Sequence, residues 1–112
     1  MTLLVTENKT FEKNNFPETS LPKGEYENCK FKDCDFSNAH LSNYAFVDCE
    51  FIDCNLSLTK FSNTALKTVN FKNCKVLGVN FAECNDFLFA VNFEDCLLNL
   101  SMFYNRKLKG TK

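Results

Sequence analysis

Large apolar side chains recur at every fifth position of this sequence. Fifteen consecutive positions of the series, from Phe11 to Phe81, hold Phe, Leu, Tyr or Val. Neither a helix nor a strand explains this period, because five helical steps rotate a side chain by about 140° and five strand steps turn it to the opposite face. Each repeat must therefore contain a bend, and regular bends predict a solenoid whose stacked coils bury a continuous core.

The cysteines indicate how many repeats form one coil. Cys34, Cys54 and Cys74 follow one another at intervals of twenty residues, whereas Cys96 comes twenty-two residues after Cys74. Twenty residues are four repeats of five, so the sequence predicts a four-sided coil. The two additional residues predict a two-residue insertion near 85–91.

The composition fits one small domain of modest charge. The chain has 112 residues, 45% of them hydrophobic, and a net charge of −1, so it has neither the basic excess of a nucleic-acid-binding protein nor a strongly acidic field. Its beginning lacks the basic region of a signal peptide, and no stretch is long enough to span a bilayer. We therefore expect a cytoplasmic protein, without membrane contact or direct nucleic-acid binding, whose seven cysteines stay reduced.

The repeated unit resembles that of a known family. The segments CDFSN, CEFID, VNFKN and VNFED are similar to the unit A(D/N)LXX of pentapeptide-repeat proteins, and the similarity covers about residues 24–108. The resemblance implies an all-β fold, a right-handed quadrilateral β-helix of about five coils, in which the central residue and the residue two before it point inward. On this basis we expect an N-terminal capping segment with a first irregular coil (1–23), the β-helix (24–108) and a C-terminal tail (109–112).

The implied register predicts which side chains form the core. Each buried aromatic side chain contributes about 1.5–3 kcal/mol, so columns of phenylalanine are expected to stabilise the fold. The predicted core columns contain Phe31, Phe51, Phe71 and Phe93, then Phe61 and Phe81, and finally Cys34, Cys54, Cys74 and Cys96.

All seven cysteines lie two positions before a position of the five-residue series, if position 86 is counted as the next point after Phe81. Small or β-branched residues occupy the same slot elsewhere, so we expect the slot to select for size rather than chemistry. The pairs Cys29/Cys34 and Cys49/Cys54 have spacing similar to that of a structural zinc site, but the register spreads their sulfurs over two faces and two coils. Cysteines on successive coils are expected to have a Cα–Cα distance that a disulfide tolerates, but their side chains point in parallel directions, which disfavours a disulfide. We expect buried inert thiols, no metal and no cofactor.

The sequence lacks the residue combinations that are typical of an enzyme active site. It has one histidine, His40, at an outward position, and it has no nucleophile-elbow serine or glycine-rich phosphate loop. Carboxylate pairs such as Asp33/Asp35 occur, but a convex rod has no cleft that would shift their pKa values or hold a substrate. We expect the protein not to be an enzyme.

Outward positions predict two candidate contact surfaces. The first is an acidic edge formed by Asp33, Asp35, Asp48, Glu50, Asp53 and Asp95. The second is an apolar patch of Val47, Phe87 and Phe89, of which the two phenylalanines lie inside the insertion and outside the core phase. Either the insertion forms a bulge that turns one of them inward, which we favour, or both contact a partner.

The far end of the predicted coil stack lacks a polar cap. Phe103 and Leu108 continue the apolar series, and the chain then stops at KGTK. An open terminal coil exposes unpaired backbone groups and apolar surface. Three explanations remain: the chain is truncated, the terminal lysines suffice, or a homodimer forms through the open C-terminal coil.

The beginning of the chain resembles one functional branch of the family more closely. The stretches MTLLVTENKTFEKNNF and NCKFKDCDFSNAHLS are similar to the beginning of its quinolone-resistance proteins, which resemble duplex DNA in shape and charge and bind type II topoisomerases. The resemblance implies DNA gyrase or topoisomerase IV as partner, with the acidic edge in place of phosphates. Our first expectation is a non-catalytic interaction module with an unknown protein partner, and the DNA-mimicking topoisomerase binder is the alternative.

Overall fold

The five-residue repeat organises the strands along the chain. The computed structural model describes residues 4–16 and 21–103. Its eight strands pair in parallel, and a short 3-10 helix occupies Phe81–Glu83. The strands are β1 (Val5–Glu7), β2 (Thr10–Glu12), β3 (Glu25–Glu27), β4 (Lys30–Lys32), β5 (Ala45–Val47), β6 (Glu50–Ile52), β7 (Ala65–Lys72) and β8 (Asn85–Glu94).

Strands that are one coil apart pair with each other and build four faces. β1, β3, β5 and the beginning of β7 form the first face, and β2, β4, β6 and the end of β7 form the second. β8 pairs along β7 and adds a further coil to both faces. Isolated parallel bridges build the third face, from Asn15 to Leu97, and the fourth, from His40 to Met102. This arrangement confirms the predicted all-β quadrilateral β-helix.

The central residues of the repeats point to the axis of the solenoid. On the second face the rings of Phe11, Phe31, Phe51, Phe71 and Phe93 are stacked with centroids 4.8–5.1 Å apart. These five rungs are separated by four turns of the chain. Rings from the other three faces meet the stack edge to face, an arrangement that aromatic pairs prefer.

Most side chains predicted for the core are buried. Cys96, near the last described coil, is only half-buried. The buried members of the predicted set are Phe31, Phe51, Phe61, Phe71, Phe81, Phe93, Cys34, Cys54 and Cys74. Residues 17–20, within the predicted capping segment, and residues 104–112, at the predicted end of the β-helix and its tail, lie outside the described residues.

Most corners of the coil are formed by a residue with left-handed backbone conformation. Fifteen non-glycine residues have φ between 52° and 66°, and ten of them are Asn or Asp, the side chains that tolerate this conformation best. We call the corner between the first and second faces the first corner; it holds Asn8, Asn28, Asp48 and Thr68. The second corner lies between the second and third faces and holds Lys13, Asp33, Asp53, Asn73 and Asp95.

Candidate partner-binding surfaces

The second corner carries a column of acidic side chains because its backbone conformation favours Asp and Asn. Asp33, Asp53 and Asp95 are exposed and have φ of 53–55°. Asn73 interrupts the column, and its Nδ2 donates a hydrogen bond to Oδ1 of Asp53 at 2.6 Å. This neutral residue separates the carboxylates of Asp53 and Asp95. A shallow groove of about 470 Å³ runs beside the last three residues of the column.

A different carboxylate cluster forms around the first corner. Asp48 lies there beside Glu7, Glu25 and Glu27 at the edge of the first face. A hydrogen bond with Glu25, followed by partial desolvation and the negative charges of the other three, raises the pKa of Glu27 above its usual range. The sequence analysis missed this cluster, although Glu7 and Glu27 are twenty residues apart and pair directly in the sheet.

Glu50 and Asp35 are tied to neighbouring side chains. Glu50 lies on the second face with its Oε1 3.9 Å from Nζ of Lys30. Asp35 begins the third face, and its Oδ1 accepts hydrogen bonds from the backbone nitrogen and hydroxyl of Ser37 at 2.9 and 2.7 Å. Thus the second face separates Asp48 and Glu50 from the column at the second corner. The residues that the sequence grouped into one acidic edge form two separate groups.

The residues of the predicted apolar patch have different environments. Val47 is half-buried on the first face. Phe87 is 65% exposed, and Nζ of Lys67 lies 5.3 Å from its ring centroid. Phe89 is half-buried and packs against the core. The pairing of β7 with β8 shifts register in this segment, so the insertion forms a bulge that turns Phe89 inward and leaves Phe87 and Leu88 exposed.

The slot two residues before each central residue has a hydrogen-bonding role that the sequence analysis missed. The thiol of Cys54 donates to the backbone oxygen of Phe31 in the preceding coil, with Sγ 3.1 Å away. The hydroxyl of Thr64 donates in the same way to Leu41 at 2.6 Å. The slot therefore favours a small side chain with a donor, rather than size alone. The sequence has Thr as well as Cys in this slot, and because both side chains carry a donor, this pattern could have indicated the hydrogen-bonding role.

The thiols themselves remain separate and mostly buried. None of the seven cysteines, all of which the structure describes, forms a disulfide, and burial raises the pKa of Cys49 to about 12. Among residues 4–16 and 21–103, no three metal-ligating side chains come together in a way that could hold an ion. Within the same ranges no helix is long and apolar enough to cross a membrane.

The comparisons with solved structures found proteins with low sequence identity. A trypsin-treated form of QnrB1, a plasmid-mediated fluoroquinolone resistance protein, is 20% identical with a TM-score of 0.43, and the match covers 90% of this chain and 56% of that one. Full-length QnrB1 is 19% identical with a TM-score of 0.40, over 88% and 60% of the two chains. The chain thus spans less than two thirds of the QnrB1 chains that it matches.

A pentapeptide repeat protein, Rfr23 from the cyanobacterium Cyanothece 51142, is 15% identical with a TM-score of 0.34, over 96% of this chain and 86% of that one. Comparison with curated proteins found no similar sequence. The family model described as a pentapeptide repeat region matches residues 44–112, which is 69 of the 112 residues. The chain therefore belongs to the pentapeptide-repeat family.

Proposed function

We propose that the protein is a non-catalytic interaction module that binds a protein partner through the second corner. The observation that carries the proposal is the column of Asp33, Asp53 and Asp95, which occupy three of four successive turns at the second corner, with Asn73 on the remaining turn. The corner conformation fixes the backbone of these residues before binding, so little backbone entropy is lost when a basic partner surface approaches. The adjoining groove is shallow and open, which suits a protein surface better than an enclosed small substrate.

Substitutions at the two acidic groups test this proposal. The variant Asp33→Asn/Asp53→Asn/Asp95→Asn removes three charges from the second corner, and Glu7→Gln/Glu25→Gln/Glu27→Gln removes three from the other cluster. Proteins captured by the wild type are identified by quantitative mass spectrometry, and the affinity of a purified candidate is then measured at several salt concentrations. We expect the first variant to lose binding and the second to keep it. Equal binding by both variants would contradict a role for the second corner.

The alternative function is a DNA-mimicking binder of DNA gyrase or topoisomerase IV. Four coils span about 14 Å, a length over which duplex DNA carries about eight phosphates. The second corner supplies three carboxylates over its last four coils. On the other side of the second face, the cluster around Asp48 adds three more on the same coils and a fourth, Glu7, one coil earlier. These seven charges are the observation that favours a mimic.

A supercoiling assay separates the two functions. Purified gyrase is inhibited by a quinolone and titrated with the protein. A mimic restores supercoiling at micromolar protein, and the triple Asp→Asn variant does not. No restoration at that concentration would remove this alternative and leave the interaction module with another partner.

Two further properties are part of the proposal. We place the protein in the cytoplasm, because seven cysteines without a disulfide suit a reducing compartment. We also propose a homodimer through the C-terminal coil, where Leu98 and Phe103 of the core phase are only half-buried. Sedimentation velocity at several concentrations tests the dimer, and a monomer throughout the range would exclude it.

A further inference from the structure

Four thiols form a continuous column along the third face. Cys34, Cys54, Cys74 and Cys96 occupy the same slot on successive coils. The thiols of Cys54 and Cys74 donate hydrogen bonds to the backbone oxygens of Phe31 and Phe51, with Sγ 3.1 and 3.2 Å away, so the two side chains have the same orientation. The two central thiols, Cys54 and Cys74, therefore each have a sulfur neighbour on both sides.

The spacing of the coils suits a metal ion held between two sulfurs. Neighbouring coils are about 4.8 Å apart, as paired strands are, and the Cα–Cβ bonds in one slot are nearly parallel. Two metal–sulfur bonds of about 2.3 Å in line span about 4.6 Å. A linear sulfur–metal–sulfur unit therefore fits between successive coils without a change in their separation. A tetrahedral ion does not fit, because the described residues bring no third ligand to this position.

The side chains of the two central cysteines are almost fully buried, so an ion must reach the thiols from the groove that both residues line. Cys54 and Cys74 line the groove of about 470 Å³ beside the second corner, and the carboxylates of Asp53 and Asp95 stand at the same groove. Lys75 also lines the groove, and the two carboxylates leave the groove with a net negative charge that raises the local concentration of cations. The second vertical pair of cysteines, Cys29 and Cys49, differs in this respect, since only Cys29 lines the groove next to it.

We propose that Cys54 and Cys74 bind a soft, thiophilic ion with two-coordinate preference, of the class that includes Cu⁺, Ag⁺ and Hg²⁺. With Hg²⁺, both S–H bonds break, two protons pass to solvent and two S–Hg bonds form, with no change in oxidation state. The resulting unit is neutral, so its burial avoids the cost of an unpaired charge. The thiols of Cys34 and Cys96 stay protonated and keep their hydrogen bonds to the backbone oxygens of Phe11 and Phe71. Soft ions select thiolates over the carboxylates nearby.

The experiment uses the reduced full-length chain, Hg²⁺ as probe and an excess of a small monothiol as competitor. Native mass spectrometry counts the ions that are retained, and X-ray absorption at the mercury edge counts the sulfur ligands. We expect one retained ion with two sulfur ligands and a higher thermal unfolding midpoint. Retention of no ion, three or more sulfur ligands, or a lower midpoint would overturn the site.

Two matched double variants locate the ion. Cys54→Ser/Cys74→Ser and Cys29→Ser/Cys49→Ser each replace two buried thiols on successive coils, and serine keeps a donor in the slot, as Ser101 does toward the backbone oxygen of Val76. We expect the first variant to lose affinity at least about tenfold and the second to keep wild-type affinity. Equal affinity in the two variants would overturn the assignment. If the first variant does not fold, each of its single substitutions must weaken binding for the proposal to stand.

Discussion

At the scale of single residues, the corner conformation is the strongest local constraint in this protein. Asn38, Leu58, Gly78 and Leu100 form the corner between the third and fourth faces, with φ of 59–66°. A leucine in this conformation places Cβ too close to the following carbonyl oxygen, at a cost of about 1–2 kcal/mol. The side chain of Leu58 nevertheless packs on Gly78, so closely that a Cβ atom at residue 78 would clash with it.

Replacing Leu58 with asparagine is expected to stabilise the protein. The side chain is 50% exposed, so the loss of packing on Gly78 is smaller than the relief of backbone strain, and we expect a gain of about 0.5–1 kcal/mol. Urea unfolding measures the change. The control is Asn38→Leu at the same corner, for which we expect a loss of similar size. A lower midpoint for Leu58→Asn would show that the contact with Gly78 outweighs the strain.

Tyr26 is expected to make the protein sensitive to alkali. Burial, with a smaller contribution from Tyr44, raises the pKa of Tyr26 from 10.0 to about 12. Below pH 10 the protonated Tyr26 hydroxyl makes its full contribution to the free energy of unfolding. Between pH 10 and 12 the unfolded chain loses the proton while the folded chain keeps it, so stability falls by up to about 1.4 kcal/mol per pH unit.

The variant Tyr26→Phe should therefore show a flatter decline of the urea midpoint over this pH window. Its stability at neutral pH is expected to be lower, because the hydroxyl no longer donates to the backbone oxygen of Pro22. Thr64→Val changes no titrating group and serves as control. Its urea midpoint should shift, but the slope of the midpoint against pH should equal that of the wild type. An unchanged slope in Tyr26→Phe would contradict the assignment of the alkaline loss to this residue.

At the scale of elements, the insertion was predictable and its conformation was not. The interval between Cys74 and Cys96 reveals two additional residues, because every other coil has twenty. Which side chain turns inward depends on where the register shifts. Phe87, Leu88 and Phe89 are all large and apolar, so the sequence does not distinguish between them. In the structure Phe89 packs against the core, and Leu88 has a left-handed backbone conformation, which leucine disfavours.

Two deletions test this description of the bulge. Removing Asp86 and Phe87 restores a twenty-residue coil and places Leu88 inward above Leu66, so we expect a folded protein with stability within about 1 kcal/mol of wild type. Removing Phe87 and Leu88 restores the same length but places Asp86 inward, where an unpaired charge prevents folding. Circular dichroism and thermal unfolding measure both. A folded second variant or an unfolded first one would contradict the register.

The donor role of the inward slot gives a further prediction. Thr64 is fully buried, and its hydroxyl bonds to the backbone oxygen of Leu41. Thr64→Val keeps the shape and removes the donor, which should cost about 1 kcal/mol in urea unfolding. Thr64→Ser keeps the donor and loses only a methyl group. A valine variant as stable as wild type would restore the simpler view that the slot selects for size.

At the scale of the whole molecule, periodic features could be predicted and exceptions to the period could not. The phenylalanine rungs follow from the five-residue spacing. Tyr44 breaks the rule of small side chains in its slot, and it fits because the slot one coil earlier holds Gly24, and because its hydroxyl reaches the backbone oxygen of Leu21. Likewise, the division of the acidic residues between two corners depends on the lateral geometry of the coil, which linear spacing does not contain.

A solenoid also predicts that the cost of a substitution depends on its coil. Each coil contacts only its neighbours, so Phe51, fully buried between Phe31 at 4.8 Å and Phe71 at 5.1 Å, connects the two halves of the stack. Phe51→Ala should cost about 3–5 kcal/mol, a large share of the 5–15 kcal/mol that is typical of a domain. Phe11 stacks on one side only and is half-buried, so we expect Phe11→Ala to cost less than half as much.

Hydrogen exchange followed by mass spectrometry distinguishes the two variants by location. In Phe51→Ala we expect protection to fall on both sides of the substitution, because the stack is divided at its middle. In Phe11→Ala the loss should be confined to β1 and β2, while β4 to β7 keep their protection. Equal loss throughout the chain in Phe11→Ala would mean that the coils unfold as one unit, and nearest-neighbour coupling would then be the wrong description of this solenoid.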